Sequence, residues 1–206
     1  MTQINVEYKP NAKQEQFHAC GATEVVYGGA KGGGKSCALV METLAYGLEY
    51  PKANIYLFRE TYDDLEANLI AEWKEKVPAE LYTYNESKHI ATLINGTTVR
   101  FRYVKSHDEA KRYQGRSFDF VGVDELTKHE EKTIQELLSC VRSAKGYPAR
   151  FRATCNPGGI GHSWVKEKYI TATDYGQKQV EDPITGNTIV FIPAKVALQN
   201  LFQQFY

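Results

Sequence analysis

The chain has 206 residues, 42% of them hydrophobic and 24% charged, and its 25 basic and 25 acidic side chains cancel. That length suits one sizeable α/β domain, alone or with a small appendage, and a neutral chain does not coat DNA over its whole surface, so any nucleic-acid contact falls on a local patch. No apolar run reaches membrane-spanning length, the start MTQINVEYKP lacks a basic-then-apolar leader, and Cys20, Cys37, Cys140 and Cys155 form no CxxC pair, which points to a reduced, cytosolic setting without zinc or disulfides.

After a polar lead, Thr23–Tyr27 (TEVVY) reads as a short buried strand running into glycines. The spacing of Leu39, Met41, Leu44, Ala45 and Leu48 predicts a helix from Lys35 to about Tyr50. Asn54–Phe58 reads as a second buried strand and Asp63 to Lys76 as a second helix, closed by Pro78; this alternation argues for a parallel sheet with crossover helices. Ile90–Ile94 and Thr98–Val104 flank Asn95-Gly96, a strong hairpin signal. Ser106 and Glu109 have capping-box spacing and predict a short helix. Phe118–Val123 is a near-continuous apolar strand ending in Asp124-Glu125, and Thr133–Val141 is an amphipathic helix. Phe151–Cys155 forms another strand, which ends at Asn156-Pro157-Gly158-Gly159. A second hairpin pairs Lys178–Glu181 with Thr188–Ile192 around Pro183–Asn187. The whole reads as α/β: one doubly wound, mainly parallel sheet with β-hairpin insertions.

Gly29-Ala30-Lys31-Gly32-Gly33-Gly34-Lys35-Ser36 matches GxxxxGK[ST] between a strand and a helix, the setting of a P-loop (Walker A). Its glycines let backbone N–H groups turn inward around phosphates, and the following helix adds the positive end of its dipole. In that reading Lys35 meets the β- and γ-phosphates of ATP, and the Ser36 hydroxyl ligates Mg²⁺. An accidental match somewhere in this length has odds on the order of one in a hundred. A Walker B acid stands at the end of a buried strand, and Asp124 fills that role as the second metal-site residue. The adjacent Glu125 marks the class that activates water with a carboxylate beside the γ-phosphate; taken alone, Asp-Glu after a strand is more often a solvated turn. Thr154 and Asn156, at the end of a strand expected between the P-loop and Walker B strands, are candidate γ-phosphate sensors, or simply a polar turn closed by Pro-Gly. Arg100 and Arg102 share one face of a hairpin strand, with Phe101 and Tyr103 on the other. Lys111, Arg112 and Arg116 surround Tyr113-Gln114-Gly115 before Walker B, where an arginine could stabilise transition-state charge, although most surface arginines do not. The five histidines show no ligand spacing.

Taken in order, Gln14 and Phe17, VVYGGAKGGGKS, Arg59 after the second strand, YQGRSFDFVGVDEL and ATCNPGG resemble the ATPase domain of tailed-phage terminase large subunits, from about Lys9 to about Lys195. The resemblance implies the additional-strand, catalytic-glutamate class of P-loop NTPase. It also implies a motor that assembles as a homo-oligomeric ring on a portal protein in the host cytoplasm, works with a small terminase subunit, and drives double-stranded DNA into a procapsid with ATP and Mg²⁺. It assigns Gln14, with Phe17 nearby, to adenine, Glu125 to catalysis, Thr154–Asn156 to coupling, and an arginine finger acting across subunits to Arg112, with Arg116 the second choice. Lys31 stands where many members carry arginine. The domain is expected over residues 1–197, with 198–206 (LQNLFQQFY) a tail of uncertain origin and without the nuclease domain that follows in the family. The competing readings are another DNA-dependent P-loop ATPase, such as a helicase-like translocase or a recombinase, and a nucleotide-binding scaffold that no longer hydrolyses.

Overall fold

The computed structural model describes residues 5–29, 32 and 34–194. The chain opens with helix α1 (Ala12–Ala19), started by a capping box in which the Asn11 side chain accepts from Lys13 and Gln14 N–H and the Gln14 side chain answers the Asn11 N–H. Strand β1 (Glu24–Gly28) leads into the P-loop, which ends at helix α2 (Lys35–Glu49). Strand β2 (Asn54–Arg59) is followed by α3 (residues 62–76), whose middle, Leu65–Ile70, is π-wound. A meander of β3 (Tyr82–Asn85), β4 (Ile90–Leu93) and β5 (Thr98–Tyr103) precedes a single turn, α4 (His107–Ala110). Then come β6 (Phe120–Val123), α5 (Glu131–Leu138) and β7 (Arg150–Cys155). Last are a helical run α6 (residues 162–171), with its second half π-wound, and the hairpin β8 (Val180–Glu181) and β9 (Thr188–Pro193).

These strands make one nine-stranded sheet in the order β3-β4-β5-β2-β6-β7-β1-β9-β8. From β5 to β9 every neighbouring pair is parallel, and only β3 with β4, β4 with β5 and β8 with β9 run antiparallel. The parallel strands are apolar on both faces because helices cover both. Val25, Tyr27, Ile55 and Leu57 pack toward α2 and α3. Val26, Tyr56, Phe58, Val121 and Val123 pack with Ile134, Leu137 and Tyr169 of α5 and α6. No helix among the described residues is long and apolar enough to cross a membrane.

The α/β reading and the parallel centre agree with the sequence. The sequence passed over α1, β3 and α6. Of Phe101 and Tyr103, read as sharing the strand face opposite Arg100 and Arg102, Phe101 is buried, whereas Tyr103, the last residue of β5, is about half exposed at 48%. The Ser106 hydroxyl accepts from Glu109 N–H, but the Glu109 carboxylate accepts from Lys105 N–H instead of returning to Ser106.

Candidate active site

The sheet order brings the chemistry to one edge. Strand β7 lies between β1 and β6, so the loops that follow these three strands converge at their C-terminal ends, where ligands bind in open α/β sheets. The P-loop is anchored at its start: Gly29 N–H donates to Cys155 O at 3.2 Å. At its end Gly34 sits at φ 62°, ψ 29°, a left-handed conformation, and a Cβ there would lie 2.8 Å from the Gln14 side-chain nitrogen. Glycine is therefore needed twice over at this position, for its backbone angle and for the close approach of Gln14. Ala30, Lys31 and Gly33, assigned to ATP, fall outside the described residues, as does the tail.

A cavity of about 340 Å³ opens beside this loop. It is lined by Gly32, Gly34, Lys35 and Ser36, by Asp124 and Glu125 after β6, by Thr154 and Asn156 at the end of β7, and by Cys37 and Glu72. Lys35 is buried, and its Nζ approaches Gly29 O at 3.4 Å. Burial pushes its ammonium down from the ordinary lysine value, while Asp124 and Glu125 nearby pull it back up. Asp124 is 1% exposed; it accepts from the Ser36 hydroxyl at 3.1 Å to each oxygen, and from the Thr154 hydroxyl. A serine hydroxyl touching a carboxylate on a phosphate-sized cavity fits Mg²⁺, which takes one or two protein oxygens and keeps waters and phosphate oxygens for the rest. Among the described residues no group of three or more His, Cys, Asp or Glu side chains would hold a metal by itself.

Glu125 follows directly and adopts φ 57°, ψ 53°. A left-handed backbone at a residue with a Cβ costs roughly 1–2 kcal/mol, and such residues cluster where the surroundings over-determine them. Here Glu125 N–H donates to the Thr154 hydroxyl at 3.1 Å, and the carboxylate faces Arg59 Nη2 at 3.3 Å and Lys128 Nζ at 3.5 Å. Arg59 is buried at the end of β2 and also places its Nε 2.9 Å from Asp124 Oδ2. That second approach is too poorly aligned for a hydrogen bond, so it is an ionic contact. The sequence marks Arg59 only as a family feature; its convergence on both carboxylates depends on β2 lying next to β6.

The remaining assigned residues divide. Asn156 lines the cavity, with its side-chain oxygen buried and without a hydrogen-bond partner among the described residues. Gln14 reaches the loop, but both ends of its amide are engaged: the oxygen accepts from Asn11 N–H at 2.9 Å and the nitrogen donates to Gly34 O at 3.0 Å. Phe17, expected close to the nucleotide, has no exposed surface and stacks on Tyr27 with ring centroids 5.5 Å apart. Arg112 is exposed on the turn after α4 and makes no hydrogen bond or ion pair among the described residues. Arg116 leans back on the sheet, 3.3 Å from the Tyr56 hydroxyl and 5.5 Å from the centre of the Tyr113 ring. Arg100 lies over the Tyr56 ring, and Arg102 donates to Lys88 O at 2.9 Å. The sequence offered no signal for Glu72 or Cys37. They reach the cavity because α3 packs against α2, and burial, with a hydrogen bond to Glu72, pushes the Cys37 thiol up to about 12.

A mainly parallel sheet with a glycine loop after β1, a lysine and serine opening the next helix, and an Asp-Glu pair after β6, two strands away, is the fold of a P-loop NTPase. Residues 26–197 match the family described as the N-terminal part of terminase large subunits of the T4-like-virus type, and the chain belongs to that family. The fold is similar to the large terminase of a thermophilic bacteriophage, at 15% identity and a TM-score of 0.69 over 96% of this chain and 50% of that one. It is also similar to the large terminase ATPase domain of Thermus phage P74-26, at 21% identity and a TM-score of 0.62 over 96% and 85%. The packaging motor assembly of bacteriophage Phi-29 matches at 12% identity and a TM-score of 0.55, over 98% of this chain and 68% of that one. The chain thus spans about half the length of the first of these three proteins. No curated protein matches it in sequence.

Proposed function

We propose that the chain is the ATP-hydrolysing motor domain of a terminase large subunit, which powers the packaging of double-stranded viral DNA into a procapsid from a ring seated on a portal protein. The observation that carries this reading is the convergence of Lys35, Ser36, Asp124 and Glu125 on one cavity, in a chain of the terminase large-subunit family. The P-loop backbone and Lys35 bind the triphosphate. Ser36 and Asp124 hold Mg²⁺, which when bound neutralises charge on the phosphates. Glu125 orients a water molecule and takes its proton as the water oxygen attacks the γ-phosphorus and ADP leaves. Asn156, which lines the cavity and carries an amide N–H₂ able to donate to a phosphate oxygen, and Thr154, which touches both Asp124 and the Glu125 amide, are suited to register the γ-phosphate. Gln14 acts first by holding the end of the P-loop; meeting adenine would require it to release Gly34. Of the two candidate fingers, Arg112 is preferred because no hydrogen bond or ion pair among the described residues ties it to its own subunit, whereas Arg116 is tethered to Tyr56.

The test separates binding from turnover. Mg-ATP at a hundred times its dissociation constant stabilises the folded chain by about 2.7 kcal/mol. Glu125→Gln keeps that shift while phosphate release falls by about 10²–10⁴-fold, and Lys35→Ala loses most of the shift. Unchanged hydrolysis in Glu125→Gln removes Glu125 from the mechanism. A wild-type chain that binds without hydrolysing is the scaffold instead. At high concentration or on portals, Lys35→Ala and Arg112→Ala are each nearly inactive, and mixing them restores part of the activity if Arg112 acts in trans.

A further inference from the structure

The left-handed Glu125 backbone needs more support than the Thr154 hydroxyl. The residues after it form a tight turn, with Lys128 N–H donating to Glu125 O at 2.9 Å and His129 N–H to Leu126 O at 3.1 Å. The loop after β7 and the first turn of α6 hold this turn at three points. The Thr127 hydroxyl donates to Asn156 O at 2.8 Å, Gly161 N–H donates to Thr127 O at 2.8 Å, and the Trp164 indole N–H donates to His129 O at 2.9 Å. Gly161 has φ −88° and ψ 1°, angles open to any residue, so conformation does not require glycine there. Contact does. A Cβ at Gly161 would collide with His129 O, lie 2.6 Å from the Trp164 indole nitrogen and lie 3.0 Å from Thr127 O. A Cβ at Gly159 would likewise collide with Thr127 O. At Gly159 and Gly161 the two backbones approach too closely to admit a Cβ between them.

We infer that Gly161 and Trp164 are positioning residues for Glu125: they clamp the turn after β6 onto the loop after β7 and so hold the catalytic carboxylate at its strained backbone angle. The inference rests on the ATPase reading of Glu125 and adds two residues that touch no substrate. It also gives Asn156 and Glu125 a shared mount, since Asn156 supplies one of the three gripped carbonyls. A clamp of this kind sets the rate of the chemical step and leaves nucleotide binding to the P-loop.

Steady-state hydrolysis and binding of a fluorescent ATP analogue distinguish the outcomes in Gly161→Ala, Trp164→Phe, Glu125→Gln and Gly21→Ala. Gly21 also has an ordinary φ and open space where a Cβ would go, so it controls for glycine replacement itself. Gly161→Ala lowers kcat by about a hundredfold, the usual consequence of an ångström-scale displacement. Trp164→Phe keeps an aromatic ring but loses the fused five-membered ring that carries the N–H donated to His129 O, and lowers kcat by roughly tenfold. In both, KM and analogue affinity stay within about twofold of wild type, and Gly21→Ala behaves as wild type. If Gly161→Ala does not fold, Trp164→Phe decides. An inactive Glu125→Gln beside a Trp164→Phe of wild-type kcat overturns the clamp and leaves the ATPase reading standing. A Trp164→Phe chain that loses affinity as much as rate also overturns it, since the loop would then shape the whole pocket. An active Glu125→Gln sinks the underlying reading, a result distinct from either.

Discussion

Strand β7 carries polar residues at both ends, and the two ends are built for opposite purposes. At its start, Arg152 is wholly buried and fully enclosed by protein. Its guanidinium donates to Ala22 O at 2.9 Å and Cys20 O at 2.8 Å and lies 3.3 Å from Glu42. The same Glu42 takes Arg150 at 3.2 Å and His18 at 2.9 Å, so α1, α2 and β7 are joined through one buried carboxylate. At its finish, Thr154 and Asn156 face a cavity together with Lys35, whose ammonium burial disfavours. Charge at the first end is satisfied from within and holds the fold. Charge at the second is desolvated beside an open space, the condition in which a phosphate ligand contributes most.

Removing the central carboxylate of the first end should have the largest effect on stability. Glu42→Ala leaves Arg150 and Arg152 without their counter-charge, and breaking a buried pair from one side costs about 3–5 kcal/mol. Denaturant unfolding without nucleotide measures this, while the Mg-ATP stabilisation of whatever remains folded should be unchanged. A loss below about 1 kcal/mol, the range of an exposed pair, would erase the contrast between the two ends.

The next effect is a pH dependence beneath the second end. His129 is buried, and burial pushes its pKa down to about 4, with Arg59 and Lys128 acting in the same direction against the Val104 backbone. The folded chain keeps this ring neutral while the unfolded chain protonates it near the ordinary value of 6.5. Stability from this residue is therefore fully present above pH 6.5 and falls as pH drops toward 4, by up to about 3 kcal/mol. Melting temperature against pH should decline through that window in the wild type, and His129→Gln should flatten the decline. An identical slope in both would show that other groups carry it.

The smallest effect sharpens the comparison most. Lys35→Met removes a desolvated cation but keeps an unbranched stem. Without nucleotide its stability should stay within about 1 kcal/mol of wild type, or rise, while the Mg-ATP shift disappears. A nucleotide-free destabilisation as large as that of Glu42→Ala would mean that Lys35, too, is there for the fold.

The chemistry of the second end was legible because it is local. The P-loop is a run of eight residues between a strand and a helix, and Asp124-Glu125 closes four apolar residues of β6. Near-continuous apolar runs likewise marked β1, β2, β6 and β7, because a strand buried on both faces has no polar alternation to confuse it. Helix α1 was missed because only Gln14 and Phe17 of its eight residues are buried, so it shows almost no apolar stripe. Its one readable signal is the capping box from Asn11 to Gln14. Strand β3 alternates half-buried and exposed residues at the sheet's edge. In α6 the π-wound half shifts Tyr169 and Ile170 off the spacing of a regular helix.

By itself the sequence determined that a phosphate-binding loop and an acid pair end buried strands, because those groups need only their immediate neighbours to be recognised. Only the tertiary structure decided what surrounds them. Inserting β7 between β1 and β6 puts Thr154 against Asp124 and the Glu125 amide, and setting β2 beside β6 brings Arg59 onto both carboxylates. Each of these contacts joins residues far apart in the chain, and strand order, which no local pattern encodes, fixes who meets whom.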